Sequence, residues 1–207
     1  MLSNALVPFA VLLALSSAAP SPVDVPVHTI PQSRDDYHIY PTVKLDGSPL
    51  DKALINANNG ELYIGKPTTA ECQEAYPCDT LSNATAIIVS NNGAGAAMDV
   101  YVPGGQILYV RKTGELGYTA AHAQNVPSDA TQKGFMRVEF FPSDKSAYAA
   151  VIFHGEAFLA CPLGEEGVYR VHAFADSRTD CTKIEIQAVD SGSEPHAYQY
   201  TAPYTVS

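Results

Sequence analysis

Between Gly155 and Val189 the sequence leaves the chain little conformational choice. The run Phe158-Leu159-Ala160-Cys161-Pro162 is apolar and ends at a proline. Proline has no N–H to give a ladder, so a central strand stops there. Gly164-Glu165-Glu166-Gly167 reads as a turn. Residues 168–174 then alternate, with Val168, Arg170, His172 and Phe174 on one face and Tyr169, Val171 and Ala173 on the other. A polar loop, Asp176-Ser177-Arg178-Thr179-Asp180, delivers Cys181, and residues 184–189 form a third strand pattern. This order predicts a hairpin and its neighbour stapled by a Cys161–Cys181 disulfide.

The same pattern runs through the rest of the chain. Strand-like runs at 37–40, 54–57, 61–64, 86–89, 98–102, 106–110, 116–119, 135–141 and 148–153 are separated by turn signals. These are Asp46-Gly47-Ser48-Pro49, Asn58-Asn59-Gly60, Pro103-Gly104-Gly105 and Thr113-Gly114-Glu115. Asn59-Gly60 between two apolar runs is a strong hairpin signal. Good helix stretches are nearly absent, although residues 50–58 and 119–124 each have room for a helical turn. Many short strands with Gly, Asn and Pro turns predict one antiparallel all-β domain. Gly60, Gly105 and Gly155 each lead a polar residue into an apolar–aromatic run, at spacings of 45 and 50 residues. That weak repeat favours a β-trefoil-like barrel, with a β-sandwich as the alternative.

Residues 2–19 are apolar and close on small residues, as a secretory leader does; cleavage is expected after Ala18. The run is short for a membrane span, which needs about 20 apolar residues. Residues 19–34 carry Pro20, Pro22, Pro26 and Pro31 and read as an extended arm. The β domain is assigned to 35–207. In an exported chain the four cysteines, Cys72, Cys78, Cys161 and Cys181, are expected to form disulfides. Proximity favours Cys72–Cys78 alongside Cys161–Cys181, and their spacing does not suit zinc. Asn83-Ala84-Thr85 is an N-glycosylation sequon. The formal charge of −10 disfavours nucleic acid and anionic membrane as partners.

No motif for catalysis emerges, and no metal or cofactor is expected. His154-Gly155-Glu156 has the H-x-E of zinc deaminases but lacks the P-C-x-x-C that supplies two thiolates. Residues 87–98 resemble a dinucleotide loop only until Met98, after which the chain alternates like a strand. There is no G-x-S-x-G elbow. Carboxylates are many, but spacing alone brings no two of them together. The chain has twelve Tyr and no Trp. Tyr suits half-buried sheets and can also stack on sugar rings. Alternation puts Tyr101 on the face of Asp99, opposite Val100 and Val102, so Tyr101 is the expected stacking residue.

Several segments occur in one order: Val102-Pro103-Gly104-Gly105-Gln106, Tyr109-Val110, Gly114-Glu115-Leu116-Gly117-Tyr118-Thr119, Ala121-His122-Ala123, Phe158-Leu159-Ala160-Cys161-Pro162, Val171-His172-Ala173, Cys181 and Ala197-Tyr198-Gln199-Tyr200-Thr201. The series, spanning residues 37–201, resembles the small secreted fungal IgE-binding proteins and, more distantly, the PhiA cell-wall proteins of filamentous fungi. Tyr169 and Tyr198 stand where relatives are expected to carry Trp. The resemblance implies a secreted or wall-associated protein without assigned catalysis. Some members act as allergens or are linked to conidium-forming structures. The expected function is a non-enzymatic cell-wall or cell-surface protein, with wall polysaccharide as its expected partner. A carbohydrate-binding module using surface Tyr is the second reading, and a secreted hydrolase the third.

Overall fold

The computed structural model describes residues 36–74, 84–123, 125–143, 146–174, 178–192 and 196–203. The leader, the Pro-rich arm, Cys78 and Asn83 lie outside the described residues.

The described chain is built of strands, and no helix occurs among the described residues. In order these are β1 (Asp36–Lys44), β2 (Ile55–Asn58), β3 (Glu61–Ile64), β4 (Ala70–Glu71), β5 (Ile87–Ser90), β6 (Ala96–Met98), β7 (Leu108–Arg111) and β8 (Leu116–Tyr118). They continue with β9 (Ala130–Thr131), β10 (Phe135–Phe140), β11 (Tyr148–Phe153), β12 (Phe158–Pro162), β13 (Tyr169–His172), β14 (Thr182–Asp190) and β15 (Gln199–Tyr200). Residues 50–58, expected to have room for a helical turn, make tight turns and then β2, and 119–123 hold only a turn.

Local chemistry explains the hairpins. Asn58 pairs with Glu61, so Asn59-Gly60 is a two-residue loop. Both residues have positive φ, 48° and 88°, as a type I′ turn requires. At the far end of the chain, β12 and β13 pair from Leu159–His172 to Pro162–Tyr169. On its other edge β12 pairs with β14 only as far as Ala160–Thr182, so Pro162 takes no place in that ladder. The Cys161–Cys181 disulfide joins β12 to the entrance of β14.

Long-range pairing converges on β14. Its first residues pair with β12, and Glu185 to Asp190 pair with β1 on the opposite edge. Ile186 and Gln187 also meet β11. The resulting path is β6-β5-β1-β14-β12-β13-β3-β8-β7-β9, with β11 and β10 branching from β14 and β2 from β3. All ladders are antiparallel. Ile39, Val43, Ile87, Leu62, Leu108, Phe135, Val151, Phe158, Val171 and Ile184 fill one continuous core.

The all-β antiparallel expectation therefore holds, but the preference for a trefoil-like barrel does not. The path is open, and a single bridge between Ala97 and Ile107 is all that joins β6 to the chain entering β7. The three glycine-led strands also occupy unlike positions. β3 lies between β2 on one edge and β13 and β8 on the other, β7 between β8 and β9, and β12 between β13 and β14. Similar turns gave a local repeat without equivalent partners.

Candidate functional site

The residues singled out in the sequence are dispersed. Cys161 is buried and bonded to Cys181, some distance in sequence from Cys72, which is also in a disulfide. Tyr101 follows β6, which ends at Met98. From there the chain leaves the ladder: Val100 bridges Ala197, and the Tyr101 N–H donates to the Ala197 carbonyl at 3.1 Å. Tyr101 is half-buried, and Asp99, expected on a solvent face, is 0 % exposed. Strand alternation through 98–102 thus fails, and with it the argument that placed Tyr101 outward. Tyr63, Tyr109, Tyr118 and Tyr200 are buried.

Two ionic groupings invite comparison with catalytic sites. In the first, His38 Nδ1 lies 2.9 Å from Asp99 Oδ2. A buried carboxylate fixes an imidazole in one orientation. The pair lines neither of two large surface grooves among the described residues. In the second, Arg170 of β13 lies 3.1 Å from Glu61 of β3 and 3.9 Å from Glu115, just before β8. The Tyr63 hydroxyl donates to Glu61, and the Thr113 hydroxyl to Glu115. Burial pushes the Glu115 carboxyl up, but the Thr113 hydroxyl, its own backbone, His172 and Arg170 together hold it below its ordinary value. A glycosidase acid needs the reverse shift. The grouping is thus suited to joining three strands. Among the described residues, no three His, Cys, Asp or Glu side chains gather as metal ligands.

A third grouping faces solvent. The last rung of the β10–β11 ladder pairs Phe140 with Tyr148, placing both on one face. Their rings stack with centroids 5.3 Å apart and planes 20° apart. Phe140 is 40 % exposed and the next residue, Phe141, 67 %. The Tyr148 hydroxyl donates to Glu185 Oε2 at 2.7 Å. That bond, with burial and the nearby carboxylates, pushes the phenol up to about 12, so it remains a donor at neutral pH. Glu185 on β14 is directly opposite Lys44 on β1. Lys44 Nζ sits 5.0 Å from the centre of the Tyr148 ring and 2.7 Å from Asp46 Oδ1. An aromatic pair thus continues into a charged row across β10, β11, β14 and β1. Beside it a groove of about 520 Å³ is lined by Lys44, Asp46, Pro142, Tyr148, Lys183 and Glu185, among others.

The sequence reading placed Tyr148 on a strand without assigning it a role. A signal was present in Phe140-Phe141-Pro142: two consecutive aromatic residues on a strand cannot both face the core.

Residues 42–201 match the family described as PhiA-like secreted protein. The chain belongs to that family. It is also similar to an uncharacterized secreted protein of Arthroderma benhamiae, 29 % identical over 165 residues, covering 73 % of this chain and 80 % of the other. No solved structure matches the chain. In this PhiA-like protein, the segments that carried the resemblance hold the fold together. Gln106 of the Pro-Gly-Gly-Gln run is buried and donates to the carbonyls of Thr119 and Tyr200, both at 2.8 Å, while its oxygen accepts from Tyr200 N. Tyr118 donates to the Thr201 carbonyl at 2.7 Å. Ala173 N donates to the Gly114 carbonyl at 2.8 Å. These motif residues tie distant segments of this chain together, whereas the solvent-facing aromatic pair lies outside all of the motifs.

Proposed function

We propose that this secreted PhiA-like protein is a non-enzymatic component of the fungal cell wall or cell surface, and that it holds neutral polysaccharide through the Phe140–Tyr148 face. The observation that supports this reading is the stacked ring pair: Phe140 is exposed, and its partner Tyr148 lines a groove of about 520 Å³. Sugar rings present C–H faces to aromatic rings, and a ring braced by a neighbour loses little entropy on binding. The net charge of −10 argues against ionic attachment to acidic surfaces.

The test is retention of the pure protein on insoluble wall glucan or chitin. Phe140→Ala should reduce the retained fraction by about tenfold, equivalent to roughly 1.4 kcal/mol. Binding should change little with salt, because exposed ionic contacts are screened and stacking is not. Unchanged retention of Phe140→Ala, or release by moderate salt, excludes this contact.

A further inference from the structure

Resting on the stacking reading above, we infer that the groove beside Tyr148 binds an internal stretch of a linear, neutral polymer of pyranose rings whose hydroxyls are equatorial. Three features of the groove carry this.

The first is its charge balance. Lys44 and Lys183 on its walls are matched by Asp46 and Glu185, so the described lining has no net charge. Lys44 is already ion-paired with Asp46, and Glu185 accepts from Tyr148. These four side chains together give a polyanion or a polycation no net attraction. Each carboxylate still has more lone pairs than these bonds use, and each ammonium has three protons. The walls therefore suit hydroxyl groups, which both donate and accept.

The second is the apolar element. Tyr148 and Pro142 line the groove, and Phe140 stacks on Tyr148. A pyranose with equatorial substituents carries its axial C–H bonds on both faces and is flat and apolar above and below. An axial hydroxyl interrupts one of those faces. Aromatic rings thus select the equatorial sugar, and the polar walls read its periphery.

The third is size and shape. About 520 Å³ falls within the ~300–1,000 Å³ usual for ligand sites and exceeds the needs of a single ring. The groove lies open on the surface where β1, β11 and β14 meet, so it can take the middle of a chain as readily as an end. Affinity should rise with chain length until the groove is filled.

The experiment is a titration of the pure full-length protein with β-linked glucose oligosaccharides from the disaccharide to the hexasaccharide. Mannan oligosaccharides and a polyuronate serve as parallel ligands. The expected result is at least about tenfold tighter binding of the hexasaccharide than of the disaccharide. The mannan and polyuronate series should bind at least about tenfold more weakly than glucose chains of equal length. Asp46→Asn and Glu185→Gln should each weaken binding several-fold while thermal unfolding stays near that of the parent. Equal binding of mannan or polyuronate, or no dependence on length, overturns this inference; if Phe140→Ala still abolishes that binding, the stacking reading stands. If no glycan binds the parent protein, both fail. Tyr148→Phe, which keeps the ring and loses only the hydroxyl, guards against a folding artefact: normal unfolding with intact length dependence supports the site.

Discussion

Gln106 shows how one side chain can hold distant parts of this chain together. Its amide meets both the Tyr200 carbonyl and the Tyr200 N–H, and it also reaches the Thr119 carbonyl. Tyr200 in turn accepts the Ala86 N–H on its hydroxyl at 2.9 Å, linking β15 to the entry of β5. All of this is buried, so truncating the amide strands several polar groups away from water. Each such group costs about 1–3 kcal/mol. Gln106→Ala is therefore expected to lower the unfolding free energy by roughly 3 kcal/mol or more, read from denaturant titration. A loss below about 1 kcal/mol would show that water replaces the amide and that the link is not structural. Gly114 acts similarly through space: its φ is +96°, and a Cβ there would lie 2.0 Å from the Phe174 carbonyl oxygen. No side chain fits without moving the chain that follows β13.

At the scale of elements, what could be read in the sequence was what local chemistry decides. β3 follows the Asn59-Gly60 turn, and β10, β11 and β12 appear where their apolar runs predicted them. Residues 98–102 alternate as cleanly, yet β6 stops at Met98, because Asp99 is drawn to His38, 61 positions earlier. Such a long-range contact leaves no mark in local periodicity. For the same reason the glycine repeat suggested equivalence where the partners differ. The aromatic site was half-legible: Phe140-Phe141 announced an exposed ring, but its match with Tyr148 is a matter of register across the hairpin. The Cys161–Cys181 staple belongs to this scale, closing a segment that contains all of β13 with a sequence separation of 20. Replacing both cysteines by Ala should cost about 3 kcal/mol by the chain-entropy argument. Unfolding of the double variant by denaturant, against the oxidised parent, measures this. An unchanged midpoint would mean that β12–β13–β14 pairing alone constrains the segment.

For the molecule as a whole, the joint of β3, β8 and β13 sets a direction for stability against pH. His172 is 3 % exposed, and no side chain among the described residues hydrogen-bonds its ring nitrogens. Burial, chiefly, and then Arg170 and Arg178 lower its affinity for a proton, against the pull of Glu115 and of the Thr113 backbone, so it stays neutral below its ordinary value. The unfolded chain has a histidine titrating near 6.5. Between that value and the lower folded one, the unfolded state binds more protons, so stability rises with pH in that window. On acidification the contribution of His172 is intact above about 6.5 and is lost as pH falls toward its folded value. Glu115 acts in the same sense lower down: its depressed carboxyl stabilises the fold above its unfolded value, and that support is lost as pH falls through the folded one. Stability should therefore fall from neutral pH downward, with a slope from His172 of at most about 1.4 kcal/mol per pH unit. His172→Gln removes the titration at similar polarity. Denaturant midpoints measured from pH 8 to pH 5 should decline more steeply for the parent than for this variant, with the curves diverging below about pH 6.5. Parallel curves would show that water or a local opening solvates the charged ring, and a parent that gains stability over that range would reverse the assigned sign.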